Sequence, residues 1–411
     1  MATPEQGNWI AGERRPAAAE SWFERRSGRP PFAALGRWPR SEAADAVEAL
    51  RTVAAGTAAW RALDRAERLD RLRRVPEALE ARGDLCELLA AELGLGPNEL
   101  RPRLERDLHG LREGLELAAD AGTVEPPGAG LFAAHWSDLA GTLAARVLAR
   151  LAGGAGVCVL ADSALPSAAD ALGRALVEVL GPGPWAVLHA DRRGALAGAL
   201  AWPELAWARL RGCREALERA LAPYAVVPPS WQLWPLVNAS WVVPAGADPA
   251  AQAAAVVRKA VGRSSTLSGQ CPGQVGRVYC HQKLFSRFQE ELLALLEGSS
   301  DVRRPVPLVE DDLFEHVHRA WAMGLDEGAT PLFGGAPARL PRAASGEAGR
   351  GEAAAARAPL APLTLGPIVF TNVDPARDLA GLDRPAPVLG LARVASDEEG
   401  RELARRAPGG R

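Results

Sequence analysis

The spacing of apolar residues changes along the chain, and each change marks a different kind of element. Asn8–Glu13 (NWIAGE) reads as a short strand and turn. Ser41, with Glu42 and Asp45 close behind it, predicts the N-cap of a helix running to about Leu63. Leu69, Leu72, Leu79, Leu85 and Leu89 keep near-helical intervals across Arg65–Leu93, and Asn98–Ala121 is a third amphipathic stretch rich in Glu and Arg. A Pro/Gly break follows at Glu125–Gly130.

Beyond that break short apolar runs alternate with helical segments. Val157–Leu160, Trp185–Leu188 and Trp207–Leu210 predict strands, and Ala225–Val227 an extended piece. Ser167–Leu180 and Arg214–Leu221 predict helices between them. Strand, helix, strand in this rhythm implies a parallel sheet with right-handed crossovers. From about Trp231 a second α/β region has strands at Ser240–Val243, Gly276–His281, Ile368–Thr371 and Val388–Ala392. Its helices are expected at Asp248–Val261, Lys283–Glu297, Phe314–Gly328 and Asp397–Arg406, with an Ala/Gly/Pro/Arg-rich loop over Gly335–Pro362. The expected division is residues 1–230 and 231–411, and no solenoid-type repeat interrupts it.

Composition narrows the function classes. A formal net charge of −2 gives no electrostatic case for a nucleic-acid partner. Five scattered cysteines without a CxxC pair argue for a reducing compartment and against a disulfide framework or a zinc site. No apolar run is long enough to span a membrane, and the start MATPEQGNW lacks a signal-peptide pattern, so the expected location is cytoplasmic. Lys259 and Lys283 are the two lysines among 48 basic residues, which leaves few candidates for a lysine phosphate ligand or Schiff-base amine. His316 and His318 lie two apart, on different faces of a helix, so no metal site is expected there.

Several stretches, in order, resemble the aldehyde dehydrogenase superfamily. NWIAGE is similar to that family's opening W-I-x-G-E. The Ala-rich segment from Ser41, ending at a Trp, resembles its first helices. GQCPGQVGRVYCHQKLFSRFQEEL resembles the strand and helix after its catalytic loop. PLTLGPIVFTNVDPARDL and PAPVLGLARVASDEEGRELARR resemble its late strands and last helix. The resemblance covers most of residues 8–406. It implies an α/β protein with a Rossmann-type NAD(P)-binding domain and an α/β catalytic-type domain. The oligomerisation segments look shortened and the second domain truncated at its C-terminus.

That family's chemistry implies a thiolate nucleophile, two oxyanion donors, a carboxylate base and a nicotinamide cofactor. Here Gly269 and Gln270 match the family's G-Q-x, but Pro272 stands where the nucleophile would, with neither a side-chain nucleophile nor an N–H. Cys271 is one residue early. Ser137, after Trp136, replaces the Asn that donates to the oxyanion. Gln232, followed by Trp234 and Pro235, replaces the carboxylate base, and an amide is no base near neutral pH. The ribose-binding K-P-S-E reads Ala161, Asp162, Ser163, Ala164. The F-T-G-S-T-x-x-G turn keeps Gly212 but has Leu217 at its second Gly. In the E-x-F-G-P equivalent, Asp383 keeps a carboxylate one methylene shorter.

The resulting expectation is a pseudoenzyme of this superfamily with a scaffold or regulatory protein-binding role. It would be similar to the two-domain members in which one half is non-catalytic. The degenerate catalytic positions are Cys271, Gln232 and Ser137, and the vestigial cofactor positions are Gly212, Ser163 and Asp383. No cofactor is expected to bind, and NAD or NADP is the one implied if any does. The expected partner is an active aldehyde dehydrogenase relative or another protein, and the missing segments would weaken an oligomer. The alternative is a divergent NAD(P)-dependent enzyme oxidising an aldehyde to a carboxylic acid, with Cys271 as nucleophile. Trp231, Trp234 and Trp241 are read as core packing before a binding surface.

Overall fold

The computed structural model describes residues 4–120, 126, 128–190, 193–304, 306–310, 312–337 and 363–407. The loop expected over Gly335–Pro362 lies, from residue 338 on, outside them. The chain divides into two compact units, Met1–Pro235 and Leu236–Arg411.

The first unit opens with β1 (Asn8–Ile10), β2 (Glu13–Arg15), and an antiparallel hairpin of β3 (Trp22–Arg26) and β4 (Ala34–Pro39). Helix α1 (Ala43–Ala62) is capped one residue later than the sequence suggests. Glu42 and Asp45 form a reciprocal capping box, while the Ser41 hydroxyl accepts a hydrogen bond from Asn8 Nδ2 at 2.8 Å. The helical stretch expected at Arg65–Leu93 is three short helices, α2 (Arg65–Leu72), α3 (Val75–Glu80) and α4 (Leu85–Glu92). Pro76 sits in the first turn of α3, where it cannot continue a preceding helix. Helix α5 (Pro97–Asp120) follows.

Then come β5 (Ala129–Ala133), α6 (Ala140–Ala152), β6 (Gly156–Ala161), α7 (Pro166–Leu180), β7 (Trp185–His189), α8 (Arg193–Leu200), β8 (Trp207–Gly212), α9 (Arg214–Leu221) and β9 (Trp231–Pro235). The sheet order is β2-β1-β7-β6-β5-β8-β9, with β5 to β9 parallel and β1 and β2 antiparallel. Every residue of β5, β6 and β7 is buried, as a sheet covered by helices on both faces requires. The strand Trp231–Pro235, grouped by sequence with the second region, pairs with β8 of the first. Ala225–Val227 is a bend rather than an extended piece, and Val226 stays 81% exposed. β5 and α6 were hidden from the sequence reading by the Pro/Gly break and by the small residues of AGLFA.

The second unit carries β10 (Ala239–Val243), β11 (Val275–His281), β12 (Val306–Pro307), β13 (Thr330–Phe333), β14 (Thr364–Leu365), β15 (Ile368–Thr371) and β16 (Val388–Val394). Its main sheet runs β10-β11-β16-β15-β13, parallel except for β13 at one edge, while β12 pairs with β14. Phe285, Phe288, Leu292 and Leu296 of helix Phe285–Gly298 pack on one face, against Val278, Cys280, Leu389 and Leu391. Helix Leu313–Asp326 packs Phe314, Val317 and Ala320 on the other, against Tyr279 and Phe370. The helix expected at Asp248–Val261 is α-helical over Pro249–Val256 and widens into a π turn at Val257–Val261. No helix among the described residues is long and apolar enough to cross a membrane.

Candidate functional site

In the first unit β5 leads to β6 and β7 on one side and is flanked on the other by β8. The order therefore reverses at β5, the kind of place where open α/β sheets bind ligands beyond the strand ends. A cavity of about 480 Å³ lies there. Ala133, Leu160 and Leu210 line it from the ends of β5, β6 and β8. Leu196 of α8 and Ala216 and Leu217 of α9 form apolar walls, and Arg211 and Arg219 are its two charged lining residues.

The turn from β5 into α6 folds its polar groups onto one another. Ser137 Oγ lies 2.8 Å from His135 Nδ1, which also accepts the Ser137 N–H at 3.2 Å. Asp138 is 2% exposed and forms ion pairs with Arg211, whose Nε lies 3.0 Å away, and with Arg146, whose Nε lies 3.4 Å away. The guanidinium carbons of Arg146, Arg150 and Arg211 lie 5.0, 5.8 and 6.0 Å from the Trp234 ring centre. Trp234 thus fills, with an indole against cations, a position where the resemblance implies a glycine.

The turn from β6 into α7 is equally self-contained. Asp162 Oδ2 accepts the Trp136 N–H at 2.7 Å, and Oδ1 accepts the Ala164 N–H at 3.0 Å. Ser163 is half-buried in this turn. Gly212 is buried at the end of β8, and Gln232 is exposed on β9, in register with Arg209. Among the first unit's candidates, Ser137, Ser163 and Gly212 thus stand at strand ends of the one sheet. Gln232 is set back along its strand.

In the second unit Cys271 sits in a loop whose backbone is tightly specified. Leu267, Ser268 and Gly269 have φ of 50°, 51° and 102° in succession. A Cβ on Gly269 would come within 2.6 Å of the Ala386 carbonyl oxygen, so only glycine fits. The buried Gln270 side chain ties the loop down: Nε2 donates to the carbonyls of Leu267 (3.1 Å) and Pro307 (3.0 Å), and Oε1 accepts the Val309 N–H (2.9 Å). Cys271 is 7% exposed, and its N–H donates to Thr266 O. Pro272 follows in the turn. The segment bearing Asp383 packs beside this loop through Ala386 and Pro387. The Asp383 carbonyl accepts from Asn238 N, while Arg277 donates to Leu382 O and Arg384 pairs with Glu310 and Asp312, each at 2.6 Å.

All five cysteines are free thiols. Burial pushes the Cys158 and Cys280 thiols up to about 12 and raises Cys86, so these three are poor thiolates. Trp231 is buried edge-on to Tyr224, and Trp241 donates to Gln252 Oε1 at 2.8 Å beneath Lys259. Sequence reasoning missed Arg211, Asp138 and Arg219. Nothing in their local spacing marks them, because Arg211 and Asp138 meet only when β8 lies beside β5.

No protein-family profile matches the sequence, and no curated protein matches it. Solved structures do match, at full length. The lactaldehyde dehydrogenase of Escherichia coli is 18% identical, with a TM-score of 0.83, over 99% of this chain and 85% of that one. The succinate-semialdehyde dehydrogenase of Burkholderia pseudomallei is 23% identical, with a TM-score of 0.80, over 98% and 83%. A 3,6-anhydro-L-galactose dehydrogenase is 20% identical, with a TM-score of 0.80, over 98% and 85%.

Proposed function

We propose that this chain, which has the aldehyde dehydrogenase fold, does not catalyse NAD(P)-linked aldehyde oxidation and acts instead through protein contacts, as a scaffold or regulator of an active relative or another protein. The observation that carries this reading is the Gln270 loop. Its buried hydrogen bonds and strained backbone are in place, yet the residue it presents is Pro272, which offers neither nucleophile nor amide donor. Gln232 cannot deprotonate water near neutral pH.

The NAD(P) implied by the fold is not fitted by the residues present. Among the described residues the strand-end cavity is lined by Ala, Leu, Pro and Arg, which offer no side-chain acceptor for ribose hydroxyls. The nearby Asp162 has a backbone N–H on each carboxylate oxygen. The alternative, Cys271 as nucleophile, is disfavoured by its burial.

The test is turnover of a panel of aliphatic and aromatic aldehydes with NAD and with NADP. No reduction of either cofactor is expected, and turnover above background refutes the reading. Iodoacetamide should label Cys271 no faster than Cys86, and selective labelling of Cys271 would revive the nucleophile assignment.

A further inference from the structure

We propose that the strand-end cavity of the first unit binds an amphipathic monoanion, a medium-chain carboxylate, in place of a dinucleotide. This rests on the reading above only in taking the cleft to have lost its dinucleotide anchors. Three observations carry it.

The walls are hydrocarbon. Leu160, Leu196, Leu210 and Leu217, with alanines from β5, α8 and α9, enclose about 480 Å³. A pocket of that size and lining recovers free energy by taking apolar surface from water, and its described side chains offer hydroxyl groups no acceptor. Leu217 projects isobutyl into space that the resemblance implies is held open by a glycine.

The carboxylates beside the cavity already have partners. Asp162 accepts from two backbone amides, and Asp138 is ion-paired with Arg211. A ribose placed here would lose water without gaining acceptors, which costs more than an apolar chain loses in the same place.

The charges at the cavity suit a negative group. Arg211 and Arg219 line it, and the buried Asp138 carboxylate is shared between Arg211 at 3.0 Å and Arg146 at 3.4 Å. Arg219 is exposed on α9, where its Nε donates to Glu215 O at 3.2 Å. With no ion pair to a carboxylate among the described residues, the Arg219 guanidinium at the rim matches a carboxylate ligand.

The experiment is titration calorimetry of the full chain with hexanoate, octanoate and decanoate, and separately with NAD and NADP. Affinity should rise about fourfold per added methylene until the cavity is filled, and neither dinucleotide should displace decanoate. Ala216→Trp should weaken decanoate binding more than tenfold, and Leu196→Phe serves if that variant does not melt cooperatively. Arg219→Ala, an exposed change, should weaken decanoate several-fold and leave 1-decanol unaffected. Absence of saturable carboxylate binding, no dependence on chain length, displacement by NAD or NADP, or unchanged binding in the filled variants would each overturn the proposal. Failure here leaves the absence of aldehyde oxidation standing, because that is read from cofactor reduction alone.

Discussion

The loop of residues 266–274 and the strand-end turns of the first unit use their polar groups in different ways. In the second unit three hydrogen bonds from Gln270 and a left-handed run of backbone hold the loop that carries Pro272. In the first unit the side chains of the turns bind one another and the backbone, Asp162 on backbone amides and Asp138 on Arg211. The lesson is that buried hydrogen bonds keep a backbone in place whatever a neighbouring side chain can do chemically. Side chains at strand ends, by contrast, take the partners that adjacent strands bring to them.

The largest effect should come from Gln270→Ala. It strands two carbonyls and one amide in a buried site and should lower stability by about 4 kcal/mol in urea unfolding. A loss under about 1 kcal/mol would mean that the loop is not held by this side chain, and the contrast between the regions would dissolve.

Titration separates the units next. Gln270 carries no ionisable group, whereas His189 and Glu92 of the first unit are buried ionisable groups. Burial lowers the His189 imidazole to about 4, with neither ring nitrogen hydrogen-bonded. Burial raises the Glu92 carboxyl to about 7, against the opposing influence of Arg25 and the hydrogen bond from Ser167. His189 is neutral in the folded chain while the unfolded chain takes up its proton, so stability falls as pH drops from about 6.5 toward 4. Glu92 holds its proton in the folded chain, so its contribution is present below about 4.5 and lost as pH rises through about 7. Each is worth about 3 kcal/mol, and between pH 4.5 and 6.5 the two slopes oppose. Glu92→Gln should therefore raise the melting temperature at pH 8 and unmask a loss of stability on acidification. If Glu92→Gln leaves the pH profile of melting unchanged, the buried carboxyl is not the titrating group.

Pro272→Cys asks whether the frame alone suffices. A thiol at residue 272 should change stability by less than about 1 kcal/mol and, on the proposed reading, give no cofactor-linked aldehyde oxidation, since Gln232 and Ala164 offer neither a base nor a ribose acceptor. Measurable turnover would show that the first unit has kept more chemistry than its closed turns suggest. The smallest change is Ser137→Ala, which removes one half-exposed hydrogen bond to His135 and should cost about 0.5 kcal/mol by thermal melting. A cost several times larger would give the hydroxyl a wider role than local bonding.

Much was legible from residues alone. The alternation of apolar runs and helical stretches predicted two α/β regions, because strand and helix periods are local properties of the chain. Pro272 and Gln232 could be judged chemically without coordinates, since no fold gives proline a thiol or an amide a base's pKa. Boundaries were less legible: Ser41 looked like a cap until Asn8 took its hydroxyl, and β5 was masked by small residues and flanking prolines.

Only the tertiary structure decided what the remaining polar groups do. Gln270 reads as part of a motif, yet its amide is spent on Pro307 and Val309, far along the chain. Arg211 and Asp138, unremarkable in sequence, meet across β8 and β5 and set the charge at the edge of the cavity. Such pairings depend on which strands lie side by side, and hydrophobic spacing fixes the kind of element without fixing its neighbour.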